Sequence, residues 1–99
     1  MDRSEIITRL KAAEPQLRAR GVAALYLFGS YGRDEAGPRS DIDLFVDAGH
    51  ERLYDLSNYM GAYAALRSVL PNFDIGYSTR DGLADQVRAA VEREAVRVF

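Results

Sequence analysis

Apolar residues recur along this chain in two rhythms, and the switches between them mark out its elements. From Asp2 to Arg20 the positions Ile6, Ile7, Leu10, Ala13 and Leu17 follow i, i+3/i+4 spacing. That predicts an amphipathic helix with Asp2 or Ser4 as its cap. Pro15 is a point at which it kinks or divides, and Gly21 is a natural stop. Val22–Phe28 is a short apolar run of strand type, with a short helix expected over Tyr31–Ala36 behind Gly29-Ser30. The loop Gly37-Pro38-Arg39-Ser40 leads into a second strand, Asp41–Asp47, and Ala48-Gly49-His50 into a turn. Glu51–Leu70 is the longest predicted helix, with Leu53, Leu56, Met60, Tyr63, Leu66 and Leu70 inward and Pro71 at its end. Phe73–Tyr77 forms a third strand and Ser78–Gly82 a loop. Leu83–Glu94 is a helix with Leu83, Val87, Ala90 and Val91 inward, and Ala95–Phe99 suits a short last strand. Alternating helices and strands predict an α/β (α+β) domain, a small mixed sheet of three to four strands packed by helices.

Two carboxylates break the pattern. Asp41 and Asp43 stand one residue apart inside an otherwise apolar strand, Ile42, Leu44, Phe45 and Val46. Residues i and i+2 of a strand share a face, so the two project side by side. Like charges there are costly unless a positive charge sits between them. The natural occupant is a hard divalent cation such as Mg²⁺, which binds substrate phosphates as well. Upstream, Gly29-Ser30 ends the first strand. A glycine lets backbone approach a ligand closely, a strand-to-helix turn aims free N–H groups at an anion, and Ser30 adds a hydroxyl. Arg33 lies one turn further on, where a guanidinium suits a triphosphate.

Gly29-Ser30, ten residues and then Asp41-x-Asp43 resembles the signature of the DNA polymerase β-type nucleotidyltransferase superfamily. The short chain is similar to its minimal branch, the enzymes paired with HEPN-domain toxins, and the likeness covers nearly the whole length. The resemblance implies the polymerase β-type fold and two Mg²⁺ ions acting on ATP. Asp41, Asp43 and Asp74 would be the metal ligands and catalytic residues, with Asp74 activating the attacking hydroxyl. Gly29, Ser30 and Arg33 would bind nucleotide. One departure is visible: such proteins often carry glycine after the arginine, where this chain has Asp34.

Composition narrows the field. Ninety-nine residues fit one domain over 1–99 with a modest core. A 47% apolar and 28% charged chain is of the soluble globular type, and a net charge of −2 argues against direct nucleic-acid binding. No cysteine is present, so thiol chemistry is excluded. No signal peptide or membrane span is evident, which makes the cytoplasm the expected location. Other polar residues have plainer readings: Arg39 and Ser40 as loop, Asp47 as a turn or cap residue, His50 as an exposed turn. Tyr54, Tyr59, Tyr63 and Tyr77 suit packing better than base stacking.

The acceptor must bring much of its own recognition surface, because little chain is left once a catalytic unit is built. The branch resemblance implies transfer of AMP from ATP to a tyrosine of a cognate HEPN toxin, with this chain as antitoxin. The alternatives are a small-molecule acceptor, or a non-catalytic antitoxin that neutralises by contact.

Overall fold

The computed structural model describes residues 1–99. Two helices open the chain, α1 over Arg3–Ala12 and α2 over Glu14–Ala19. The Asp2 carboxylate caps α1 by accepting from the Glu5 N–H at 2.9 Å. Pro15 divides the predicted single helix, because proline is tolerated in the first turn of α2 but not in mid-helix. Strand β1, Val22–Phe28, leads into the single turn α3, Gly29–Gly32, and on to β2, Ile42–Ala48. A 3₁₀ turn at Glu51–Tyr54 precedes α4, Leu56–Val69. Strand β3, Ile75–Thr79, a second 3₁₀ turn, α5 at Asp85–Glu94 and the short β4, Val96–Arg97, complete the chain.

The sheet order is β3-β2-β1-β4, with β1 antiparallel to both neighbours and β2 parallel to β3. It is the small mixed sheet expected. Leu25, Leu27, Ile42, Leu44 and Val46 alternate onto one face, where they join Ile6, Leu10, Leu17, Ala62 and Leu66 in the core. Helices α1, α2 and α4 therefore cover that face, and burial of this apolar surface is what holds the layers together.

The predicted helix over Glu51–Leu70 is corrected. Asp55 is extended and separates the 3₁₀ turn from α4. The break changes the helical phase, so Leu56 and Met60 are 76% and 47% exposed, while Ala62, Ala65 and Leu66 face inward. Val87 of α5 is likewise exposed, and Val91 is that helix's buried residue. Tyr59, Tyr63 and Tyr77 do pack together, the Tyr77 hydroxyl donating to the Tyr59 carbonyl at 3.3 Å. Burial pushes the Tyr77 phenol well above its ordinary range. No helix is long and apolar enough to cross a membrane.

The second face of the sheet carries Tyr26, Phe28, Asp43, Phe45 and Asp47 by the same alternation. Phe45 is fully buried there: Tyr26 stacks on it at 4.8 Å and Phe28 tilts against it at 5.7 Å. The Arg80 guanidinium lies 4.9 Å from the Phe45 ring and 5.0 Å from that of Tyr26. Asp47, expected in a turn, is a strand residue that grips Arg80 with both oxygens at 2.7 and 3.0 Å. The third arm of Arg80 pairs with Glu92, which ties α5 to this face. Replacing Arg80 with Met removes two cation–π contacts and leaves Asp47 half-buried without its partner. We expect a loss of about 2 kcal/mol in urea unfolding.

Candidate active site

The residues singled out in the sequence meet at one end of β1, β2 and β3. In the antiparallel register Phe28 opposes Asp43, and in the parallel register Asp43 opposes Gly76. The Asp43 side chain is thus bracketed by two glycines. A methyl group on Gly29 would collide with Asp43 Oδ2, and one on Gly76 would lie 2.8 Å from Asp43 Oδ1. The carboxylate fills the space both leave open. Gly29 has φ +66°, a conformation L residues rarely adopt, and this sends the chain from β1 into α3.

Asp41 stands just ahead of β2 and Asp74 just ahead of β3, so neither is a strand residue. The strands begin together, with the Ile42 N–H donating to the Asp74 carbonyl at 2.9 Å. Asp41 and Asp74 line one cavity of about 360 Å³ with Pro38, Arg39, Ser40, Asn72 and Phe73. Burial raises the Asp43 carboxyl above the usual aspartate range, and the charge of Asp41 adds to the shift. Arg33 opposes it and Glu94 reinforces it. The structure contains no group of three or more carboxylate or imidazole side chains drawn together tightly enough to hold a metal. The backbone brings the three aspartates to adjoining positions, but their side chains are not gathered into a ligand cage.

Arg33 donates to Glu94 at 3.0 Å and to Glu35 at 3.2 Å, and both carboxylates raise its already high pKa. Glu94 also accepts from the Gly29 N–H at 3.2 Å. The sequence pattern pointed to neither Glu94 nor Gly76. Two signals were there: a glutamate in the last turn of α5 opposes the helix dipole, and a glycine inside a strand marks close approach. Asp34, where the resembling enzymes often have glycine, adopts φ +58°. The turn imposes a left-handed conformation there, which glycine takes without strain. Asp34→Gly should raise the unfolding free energy by about 0.5–1 kcal/mol, read by calorimetric melting.

Residues 4–95 match the family described as nucleotidyltransferase domain. A solved structure described as a candidate minimal nucleotidyltransferase is 30% identical, with a TM-score of 0.80. The match covers 97% of this chain and 95% of that one. A toxin–antitoxin structure with AMP-PNP has the same fold at a TM-score of 0.66 and 22% identity, covering 100% of this chain and 73% of that one. So does the toxin–antitoxin MntA-HpeT bearing two Asp-to-Glu substitutions, at a TM-score of 0.65 and 20% identity, with the same coverage. No curated protein sequence matches. With the family match spanning nearly its whole length, the chain belongs to the nucleotidyltransferase domain family.

Proposed function

We propose that this chain is a metal-dependent nucleotidyltransferase that moves AMP from ATP to a tyrosine hydroxyl of a cognate HEPN-domain toxin, and so acts as its antitoxin. One observation carries the reading. Asp43 is held between Gly29 and Gly76, with Asp41 near enough to perturb it, beside the turn that Arg33 overlooks. A family whose reaction moves nucleotides needs carboxylates at that point and anion donors next to them.

The donor set suits Mg²⁺. It is all oxygen, and the raised Asp43 carboxyl beside a second carboxylate marks a site short of positive charge. Bound there, two Mg²⁺ ions would supply Lewis-acid stabilisation of the triphosphate and lower the pKa of the acceptor hydroxyl. Asp41, Asp43 and Asp74 are the residues that would hold them in this reading. Gly29 and Ser30 donate to β- and γ-phosphate oxygens, and Arg33 adds its guanidinium. The acceptor enters through the cavity between Asp41 and Asp74, and Asp74 takes up its O–H proton. The tyrosine oxygen bonds to the α-phosphorus, the bond to the β-phosphate oxygen breaks, and pyrophosphate leaves. Most of the acceleration is then positioning and charge stabilisation.

The toxin as acceptor is supported by the shared fold with two toxin–antitoxin complexes, one of them with AMP-PNP. Mixed with ATP, Mg²⁺ and a HEPN protein encoded beside it, the chain is expected to add one adenylyl mass per modified tyrosine, read by intact-mass spectrometry. An adduct on a small hydroxyl compound instead would move the assignment to a small-molecule acceptor. Neutralisation with no adduct would make the chain a binding antitoxin.

A further inference from the structure

Glu94 is a charged residue at the site that the proposed reaction leaves without a task. Its carboxylate spans two donors from a distant part of the chain, Oε1 accepting from the Gly29 N–H at 3.2 Å and Oε2 from Arg33 at 3.0 Å. These are donors the nucleotide reading assigns to the triphosphate. A carboxylate bridging a backbone N–H and a guanidinium uses the same charge-assisted hydrogen bonds as a phosphate group. We propose that Glu94 is a built-in competitor of the triphosphate, seated on its donors and displaced when nucleotide binds, so that this residue sets nucleotide affinity. The inference rests on the nucleotidyltransferase reading above.

Three features favour a competitor over a support. Glu94 is the last residue of α5, where a negative charge opposes the helix dipole, so its own helix gives it no reason to stay. It brings negative charge towards Asp43, the wrong sign for a residue that assists the carboxylate pair. The helix itself is anchored two residues earlier by the Glu92–Arg80 pair. Displacement therefore requires only a side-chain rotation, while Arg33 keeps Glu35 as a second partner during the exchange.

The test is the sign of the affinity change. Glu94→Gln keeps the shape and the acceptor for Gly29 but loses the ionic bond to Arg33. Titration calorimetry with Mg²⁺–ATP, and separately with tripolyphosphate, should show binding about tenfold tighter than wild type for both, as expected for removing one charge-assisted competitor. Adenosine, which has no phosphate, should show no gain. In an Arg33→Gln background the same change should bring little, since the competition runs through that guanidinium. Glu94→Ala provides a second variant should the glutamine form fold poorly, and thermal melting verifies that each is folded. Simple relief of repulsion between Glu94 and the phosphates would persist in the Arg33→Gln background, so a gain that survives there undiminished would also overturn the competitor role. Unchanged or weaker binding in folded variants, with wild type binding Mg²⁺–ATP normally, would overturn the competitor role and leave the nucleotidyltransferase reading intact. Failure of wild type and variants alike to bind Mg²⁺–ATP or tripolyphosphate would overturn both.

Discussion

The chain carrying Asp41→Ala and Asp43→Ala is expected to transfer no detectable AMP while still folding. Loss of one preorganised electrostatic element at a transferring phosphoryl group typically costs ~10²-fold or more, and here two go together. The fold should survive because neither side chain lies in the core: Asp41 is exposed and Asp43 half-buried on the face opposite the main apolar cluster. Intact-mass spectrometry of the toxin after incubation decides the matter, and a full adduct would remove both residues from the mechanism. The single change Asp43→Asn separates activity from stability. The Asp43 carboxyl is raised in the folded chain, by burial first and by Asp41 second. Its folded pKa thus lies above the ordinary aspartate value of about 3.9. Protonated Asp43 is favoured in the fold, so its contribution to stability is present below about pH 4 and is lost as pH rises through the folded pKa. Asp43→Asn abolishes that loss. It should melt above wild type at pH 7, with the gap closing as pH falls towards 4.

Gly29→Val is expected to lose nucleotide binding outright, for two reasons that act on the same spot. At φ +66° a β-branched residue is strained, at a cost of about 1–3 kcal/mol. Its Cβ would also meet the Asp43 carboxylate and push it from its place between the glycines. The variant should melt cooperatively at a lower temperature and give no heat with Mg²⁺–ATP. Gly76→Ala is the informative partner. That glycine has no positive φ, and the added methyl would lie 2.8 Å from Asp43 Oδ1. It should impair binding with a smaller loss of stability, since only the carboxylate has to move. Normal binding by the valine variant would take the Gly29–Ser30 turn out of the site.

Much of this protein is legible in its sequence because the relevant forces are local. Alternation in Val22–Phe28 and Ile42–Ala48 and the helical spacing of Ile6, Leu10 and Leu17 fix element type through burial, and these elements fold as expected. The aspartate pair stands out because a charge in an apolar strand is costly wherever it occurs. What depended on tertiary structure involves partners far apart along the chain. Which face of α4 turns inward was decided by the break at Asp55, not by the apolar period, so Leu56 points to solvent. Asp47 looked like a turn residue until β3 delivered Arg80 over Phe45, for only the folded sheet brings those residues together. Gly76 reaches Asp43 through a parallel pairing, which leaves no turn between strands to reveal it. Glu94 lies 65 residues from Gly29, and only the return of α5 towards β1 sets its carboxylate on that N–H. The apolar rhythm and the unpaired charges were determined by the sequence alone. The company those charges keep was decided by the fold, because opposed hydrogen-bonding groups and charges must be brought within about 3 Å before they act on one another.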